Sequence, residues 1–250
     1  MRVAVLADIH GNLPALDAVL AEAEAAGVDA IVLNGDMATG PMPAQTLERL
    51  AGLGERAVWV RGNCERELAA AWDGILDPDL PEQARVPAEY CAAQLGRAHR
   101  DLLDGLPLSV TLEVTGLGPV RFCHATAVSD TAMVLVDSPV DRYRTGFADV
   151  TEPTVVLGHT HMPFDRLADR RRFVNPGSVG MPYGTPGAHW ALLGPEVSLR
   201  RTGYDVHAAG HVMRTAAPGY PGLDEFIAEN VVTVPSDAIA LAVFSSQPSA

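Results

Sequence analysis

Residues able to bind metal ions recur at five places in this chain, and each place directly follows a short apolar run. The five segments are Asp8-Ile9-His10, Gly35-Asp36, Gly62-Asn63, His124 and Gly158-His159-Thr160-His161. We interpret the preceding runs, residues 3–7, 30–33, 57–60, 120–123 and 154–157, as β-strands. Strands that end at the same edge of a sheet bring the residues that follow them together. The pattern therefore predicts a catalytic metal centre at the carboxyl edge of a sheet.

The number and kind of these side chains indicate two metal ions rather than one. Asp36 carries two carboxylate oxygens and is suited to bridge two cations, and Asn63 offers a neutral amide oxygen. Imidazole suits Zn, Fe and Ni, whereas carboxylate and amide oxygens suit Mn and Mg, so the donor set leaves the metal open. Seven ligands exceed one tetrahedral site and fit two ions about 3.5–4 Å apart. The candidate ligands are Asp8, His10, Asp36, Asn63, His124, His159 and His161.

The composition is that of a globular protein with an acidic balance. The chain has 250 residues, 48% of them hydrophobic and 20% charged, with a net charge of −13. All 18 basic residues are arginine. Such a charge argues against binding of duplex nucleic acid, which needs a basic face. It permits a small phosphorylated substrate, because divalent cations reverse the sign of a local site.

Cysteine usage and hydropathy point to the cytoplasm. Cys64, Cys91 and Cys123 are odd in number and widely spaced, which is not the pattern of a disulfide framework. The first residues enter a strand without a signal-type segment, and no apolar run of about 18 residues predicts a membrane span. We therefore expect a cytoplasmic protein that does not interact with membranes. The oligomeric state stays open, between a monomer and a homo-oligomer.

The order of elements predicts one α/β domain over residues 1–250. Strands and helices alternate over the first 63 residues, which favours a parallel sheet. Residues 65–106 are expected to form a helical insertion that covers the sheet or forms a lid over the site. Paired strands and hairpins follow from residue 107, and residues 231–250 have weak periodicity and are expected to fray as a C-terminal tail. The segment 180–187, rich in glycine and proline, is a candidate rim for a substrate.

The ordered set D-x-H, G-D, G-N, H and G-H-x-H resembles the calcineurin-like metallophosphoesterase family. The opening Asp8-Ile9-His10-Gly11-Asn12 and the later Asn175-Pro176-Gly177-Ser178 are similar to its small bacterial and archaeal phosphodiesterase branch. The resemblance covers residues 1 to about 195 and implies a four-layer αββα sandwich of two sheets flanked by helices. It also implies that Asp36 is shared between two metal ions. One ion would be bound by Asp8, His10, Asp36 and His161, and the other by Asp36, Asn63, His124 and His159.

Position 64 departs from the pattern of the wider family. Most members have histidine after the G-N pair, and that histidine is thought to assist the leaving group, but this chain has Cys64. General acid catalysis is typically worth about 10²–10⁴-fold, so its loss hurts poor leaving groups most. Cys64 is either a neighbour of the leaving group or a buried filler. Asn12 is either a turn residue or a contact to the substrate phosphate.

The predicted function is that of a phosphoesterase that uses two metal ions, with manganese favoured and Fe, Zn, Ni or Mg as alternatives. Paired cations generate a nucleophilic hydroxide and clamp the phosphoryl oxygens, with Asp36, Asn63 and His124 at the reacting centre. The predicted substrates are nucleotides or dinucleoside polyphosphates, cleaved as phosphodiesters. Two alternatives are a phosphomonoesterase or protein phosphatase, and a non-catalytic scaffold of the same fold that binds proteins.

Overall fold

The first sheet carries the alternating N-terminal units. In the computed structural model, which describes residues 1–245, strands β1 (Val3–Leu6), β2 (Ala30–Asn34) and β3 (Ala57–Val60) are parallel neighbours. Strands β9 (Ala188–Leu193) and β10 (Val197–Thr202) extend this sheet on the other side of β1, both by antiparallel pairing. The order is β10-β9-β1-β2-β3. The predicted parallel arrangement of the N-terminal strands is therefore confirmed.

The second sheet is formed by the middle of the chain. It contains β4 (Ser109–Val114), β5 (Gly118–Cys123), β6 (Thr154–Val156), β7 (Phe164–Ala168) and β8 (Arg171–Asn175). The order is β4-β5-β6-β8-β7, with β5, β6 and β8 parallel and the two outer pairs antiparallel. The two hairpins confirm the pairings expected from the sequence.

Helices lie outside both sheets, and their bounds follow in chain order. They are α1 (Leu13–Ala25), α2 (Pro43–Ala51), α3 (Asn63–Trp72), α4 (Glu82–Ala93), α5 (Arg97–Asp104), α6 (Val140–Gly146), α7 (Val206–Ala216), α8 (Leu223–Phe226) and α9 (Asp237–Ser245). A short 3₁₀ turn, Gly54–Arg56, precedes β3, and a π-type turn, Ile227–Val232, continues α8. Helix α1 shows how the sequence sets such bounds, because the Asn12 side chain caps it and Gly27, with φ +65°, follows its end.

Three layers of buried apolar side chains hold the sheets and helices together. Valines of the first sheet, such as Val5 and Val32, pack against Phe122 and Val156 of the second. Outside the second sheet, α6 contributes side chains to a separate cluster that contains Phe173. Outside the first sheet, α1, α2 and α7 share one large cluster with the strands. This is the predicted four-layer αββα sandwich.

The expected helical insertion, residues 65–106, and the expected C-terminal tail, residues 231–250, both contain helices. Residues 65–106 contain most of α3 and all of α4 and α5, and Leu68, Cys91 and Leu103 join the cluster outside the first sheet. The C-terminal tail differs from the expectation of fraying, because α9 forms there and Ala240 packs against Leu135 and Met162. Periodicity is weak there because α9 is apolar on several faces. Residues 246–250 lie outside the described part.

Within residues 1–245 no single helix has the length and hydropathy to cross a membrane. Two C-terminal segments, Leu223–Val232 and Asp237–Ser245, would satisfy both criteria only in combination, and a bend of 119° separates them.

Candidate metal centre

The predicted ligands converge at the adjoining ends of the two sheets. Asp8, Asp36 and Asn63 follow β1, β2 and β3 of the first sheet, and His124 follows β5 of the second. The two remaining histidines follow β6. Two compact groups consist entirely of predicted ligands, and in each of them all ligand atoms lie within 4.8 Å of one another. The first is Asp8, His10 and His161, and the second is Asp36, His124 and His159.

Asp36 belongs to the second group and also faces the first. Its Oδ2 atom is 3.3 Å from His124 Nε2 in one group and 4.0 Å from His10 Nε2 in the other. His161 Nε2 completes the first group, at 3.2 Å from His10 Nε2 and 3.3 Å from Asp8 Oδ1. A single carboxylate thus reaches imidazoles of both groups, which is the arrangement that a bridging ligand requires.

The backbone at the candidate ligands is unusual. Five of them adopt positive φ, a region that non-glycine residues rarely occupy. The angles are +56° for Asp8, +47° for His10, +55° for Asp36, +66° for His159 and +56° for His161. Within residues 1–245 only two other non-glycine residues do so, Asp169 and Arg170 at a hairpin tip. Such conformations cost about 1–3 kcal/mol each and persist where the surrounding structure enforces them, as at functional sites.

Two glycines allow the ligand loops to approach one another. A Cβ atom on Gly35 would lie 2.3 Å from His124 Nδ1, and one on Gly62 would lie 2.2 Å from Asp36 Oδ1. Both contacts are far inside van der Waals distance, so any side chain would push a ligand out of place. The glycines in the G-D and G-N motifs are therefore steric requirements of the cluster.

Backbone carbonyls orient all four imidazoles. A ring nitrogen that faces a carbonyl must donate a hydrogen bond, which leaves the opposite nitrogen free to bind a metal. For three histidines the donor is Nδ1, so Nε2 faces the cluster; His159 donates through Nε2, so Nδ1 is the atom it offers. The pairs are His10–Thr39 at 3.0 Å, His124–Asn34 at 2.9 Å, His161–Met181 at 2.8 Å and His159–Thr131 at 3.2 Å.

Two buried atoms show that the cluster suits metal ions. The Asn63 amide nitrogen donates to Glu67 Oε1 at 3.3 Å, and this turns its Oδ1 atom the other way. Among the residues that the structure describes, Asn63 Oδ1 and His124 Nε2 are both buried and neither makes a well-aligned hydrogen bond, although Asp36 Oδ2 lies 3.3 Å from His124 Nε2. Buried polar atoms are normally satisfied, so two orphaned atoms on predicted ligands fit a metal site. The carboxylate, amide and imidazole donors match that use.

The charges in the cluster favour a cation. Burial alone would lower the pKa of His124, but the carboxylates of Asp36 and Asp8 raise it to about 10. Burial would likewise raise the pKa of Asp36, yet His124 and His10 hold it below its usual range. Burial and the neighbouring His124 lower the pKa of His159 to about 4. A positive charge is thus stabilised beside Asp36 while His159 stays neutral, and neutral imidazole is the form that binds metals.

Glu65, in the first turn of α3, is a fully buried carboxylate. Its Oε2 atom accepts hydrogen bonds from the backbone N–H groups of Gly62 and Asp36, and Oε1 accepts one from Met37, each at 2.8 Å. One carboxylate therefore joins the start of α3 to the loop that carries Asp36. The Cys64 N–H, in the first turn of the same helix, donates to Asp36 Oδ1 at 2.9 Å. These contacts fix the direction of the candidate bridging carboxylate.

Cys64 lies beside the cluster but is almost fully buried. Its Sγ atom falls within 4.8 Å of ligand atoms of His10 and Asp36. Burial and the carboxylates of Asp36 and Glu67 raise the pKa of the thiol well above its ordinary value. The thiol is therefore neutral and a poor proton donor, although it occupies the place of the histidine expected from the resemblance.

Asn12 makes structural contacts at both ends of its amide. Its Oδ1 atom accepts from the Ala15 N–H at 3.2 Å, and its Nδ2 atom donates to the Gly180 carbonyl and to the Tyr204 hydroxyl. The residue is fully buried. This geometry favours the turn role over the predicted substrate contact. The segment after Gly180 does reach the cluster, because the Tyr183 ring stacks on His161 with 5.6 Å between ring centroids.

A network of charged residues reaches His159 and was not identified from the sequence. Arg66 on α3 donates two hydrogen bonds to Asp130, at 3.0 and 3.2 Å, and Arg61 lies 3.6 Å from the same carboxylate. Asp130 precedes Thr131, whose carbonyl accepts from His159. The pairing thus anchors the loop that orients a candidate ligand. Every residue has a backbone carbonyl, so no residue type in the sequence indicates the contact between the Thr131 carbonyl and His159.

Replacing Asp130 with asparagine is expected to weaken metal binding at the His159 group by about 10–100-fold, the usual effect of losing a partner that orients a ligand. The loss of charge frees Arg66 and loosens the Thr131 carbonyl. Titration of the metal-free protein with Mn²⁺ measures the effect. Asp73→Asn is the matched control, because Asp73 pairs with Arg100 through three hydrogen bonds away from the cluster. Equal metal affinity in both variants would show that Asp130 is only structural.

Sequence and structural comparisons place this chain in a known class. The model of the calcineurin-like phosphoesterase superfamily domain matches residues 1–196. The chain therefore belongs to the calcineurin-like phosphoesterase superfamily, as the motif resemblance predicted. Because the chain belongs to this family and contains a cluster of candidate metal ligands, the protein is a metal-dependent phosphoester hydrolase.

Individual relatives agree with this assignment. Phosphodiesterase YfcE of Escherichia coli is 25% identical over 208 residues, which cover 79% of this chain and 89% of the relative. A metallophosphoesterase from Sphaerobacter thermophilus is 26% identical, with a TM-score of 0.71 over 92% of this chain and all of its own. The hypothetical protein PH1004 from Pyrococcus horikoshii has a TM-score of 0.78 at 22% identity, covering 94% of this chain and 99% of its own. The last likeness concerns the fold alone.

Proposed function

We propose that this protein is a phosphodiesterase with two metal ions that hydrolyses nucleotide or dinucleoside polyphosphate substrates. The observation that supports it most directly is the position of Asp36, whose Oδ2 atom faces imidazoles of two separate ligand groups. The two groups correspond to the two ligand sets implied by the family resemblance. Asn63 adds a buried, unpartnered amide oxygen to the second set. We favour manganese because the carboxylate and amide oxygens are hard donors that suit it and because the family resemblance points to it.

The chain itself supplies position and charge. When bound, paired divalent ions activate water and neutralise charge on the phosphoryl oxygens. Asp36 and Asp8 provide the negative charge that holds such ions, and the carbonyl-anchored histidines set the direction of each imidazole. The net charge of −13 does not attract an anionic substrate at long range. Attraction is therefore local, and the cluster is its source.

The buried thiol of Cys64 supports a preference for diesters. Cleavage of an alkyl monoester needs a proton for the leaving oxygen, and a neutral, buried thiol is a poor donor. Diesters or anhydrides with good leaving groups depend less on such help. The proposal thus assigns activated diesters and anhydrides as substrates, in keeping with the phosphodiesterase YfcE among the relatives.

A comparison of an activated diester with an alkyl monoester tests the proposal. We expect the Mn²⁺-loaded protein to hydrolyse bis(p-nitrophenyl) phosphate with a kcat/KM about tenfold or more above that for glycerol 2-phosphate, because the alkoxide leaving group of the monoester needs a proton that the Cys64 thiol does not supply. Dominant turnover of the monoester would make it a phosphomonoesterase. If the protein bound no metal and hydrolysed neither ester, the remaining candidate would be the non-catalytic scaffold that binds proteins. A panel of nucleotides and dinucleotides then identifies the substrate, and metal analysis counts the ions.

A further inference from the structure

Two arginines, Arg61 and Arg66, meet at one carboxylate beside the candidate metal centre. Arg66 Nε donates to Asp130 Oδ2 at 3.0 Å, and Arg61 Nε lies 3.6 Å from the same oxygen. The second distance is too long for a hydrogen bond, and within residues 1–245 Arg61 forms no other ion pair. Two guanidinium groups are therefore held together where only one of them has a hydrogen-bonded acidic partner.

The Arg61 guanidinium has unused hydrogen-bond donors. It carries five N–H groups, and none of them makes a hydrogen bond in the described part of the chain. Its Nε atom is buried, while the side chain as a whole is 30% exposed, so its other nitrogens are open to a ligand. Arg66 uses Nε and Nη2 for Asp130, and its Nη1 atom makes no hydrogen bond within residues 1–245. Buried polar groups are normally paired, so these donors indicate a site for an acceptor that the protein itself does not provide.

The arginine pair adjoins two of the candidate metal ligands. Glu67 Oε1 lies 3.8 Å from Arg66 Nη2 and accepts a hydrogen bond from the Asn63 amide at 3.3 Å. On the other side, the residue after Asp130 accepts from His159 Nε2 through its carbonyl. Only one carboxylate oxygen therefore separates Arg66 from the amide of a candidate ligand. The arginines and the metal centre are close enough to bind neighbouring phosphates of one substrate.

We propose that Arg61, together with Nη1 of Arg66, binds a second phosphate group of the substrate, next to the phosphate at the metal centre. The planar guanidinium suits this task, because it forms paired, charge-assisted hydrogen bonds to phosphate oxygens. A simple diester has no second phosphate, so the site favours substrates with a diphosphate linkage over simple diesters. The inference rests on the proposed function, because it selects the dinucleoside polyphosphates among the substrates of that site.

Binding of two phosphonates tests this site without catalysis, since neither contains a phosphoester bond. Methylenediphosphonate offers two phosphate-like groups and methylphosphonate offers one. Calorimetric titration of the Mn²⁺-loaded full chain, at one fixed concentration of free Mn²⁺, measures both affinities. We expect Arg61→Gln to weaken binding of the diphosphonate by about tenfold or more, the effect of losing charge-assisted hydrogen bonds, and to leave binding of the monophosphonate unchanged. Arg61→Lys keeps the charge and should bind the diphosphonate more tightly than Arg61→Gln does.

Arg172→Gln is the matched control for the loss of an arginine. Arg172 also pairs with a single carboxylate, Asp165, but on the hairpin β7–β8. Both affinities of this variant should equal those of the unmodified protein. Equal losses of the two phosphonates in Arg61→Gln would make Arg61 a structural residue and overturn the inference. Unchanged affinity for the diphosphonate in Arg61→Gln would overturn it as well.

Failure of the second phosphate site and failure of the proposed function give different results. Hydrolysis of bis(p-nitrophenyl) phosphate without a selective loss of diphosphonate binding in Arg61→Gln would reject the second site alone. A selective loss of diphosphonate binding in a protein that hydrolyses no diester would reject the proposed function and retain the site.

Discussion

Asp36→Asn is expected to lower kcat for an activated phosphodiester by about 10³-fold or more, equivalent to about 4 kcal/mol in the barrier. The change keeps the shape of the side chain and an oxygen that can accept from the Cys64 N–H, so the loop should keep its place. It removes the negative charge and replaces Oδ2, the oxygen that faces imidazoles of both groups, with an NH₂ group. Steady-state kinetics with Mn²⁺ and metal analysis of the purified variant measure the effect together.

The matched control for this variant is Asp165→Asn. Asp165 also pairs with a cationic side chain, Arg172, but on the exposed hairpin β7–β8. Exposed pairs contribute only about 0–1 kcal/mol to stability, so activity and metal content should be unchanged. If Asp36→Asn retained two metal ions and full turnover, the bridging role proposed for Asp36 would be wrong.

Cys64→His is expected to raise turnover of phosphomonoesters relative to diesters by about 10²-fold or more, because an imidazole beside the cluster can protonate the leaving oxygen. The Sγ atom already lies within 4.8 Å of ligand atoms of His10 and Asp36, so the added ring would be close to the reacting phosphate. The measurement is the ratio of kcat/KM values for glycerol 2-phosphate, whose alkoxide leaving group needs a proton, and for bis(p-nitrophenyl) phosphate, whose p-nitrophenolate does not. The pH profile of the variant should gain a dependence on a protonated group.

Cys64→Ser separates catalysis from packing at this position. Serine retains the size of cysteine and adds no proton donor of useful pKa, so the ratio of the two activities should stay as in the unmodified protein. If histidine and serine gave the same ratio, Cys64 would be a buried filler and the preference for diesters would need another cause.

The candidate ligands could be predicted from sequence because each one follows a strand. A strand end fixes where a side chain emerges, and the parallel order of β1, β2 and β3 places Asp8, Asp36 and Asn63 along one edge. The fold followed from the same alternation together with the motif resemblance. Both predictions rest on local information, because an apolar run, a turn and a ligand lie within a few residues of each other in the sequence.

Contacts between distant segments could not be predicted in this way. The pairing of β9 with β1 joins residues almost 190 positions apart, and nothing in either strand specifies the partner. The carbonyls that orient the histidines belong to residues of many types, such as Thr39 and Met181, because any residue offers a carbonyl. For Asn12, the position directly after the D-x-H motif suggested a contact to the substrate phosphate. Its observed contacts are instead those of a helix cap.

The left-handed backbone of the ligands implies a conflict between stability and activity. His161, with φ +56°, holds a conformation that costs an L-residue about 1–2 kcal/mol and costs glycine almost nothing. Without metal, His161→Gly should therefore unfold at a higher temperature than His161→Ala, although both lose the imidazole. Selection of random variants for thermal stability alone would therefore favour glycine at these positions and remove the metal ligands. The ligands would persist only where variants are also selected for activity.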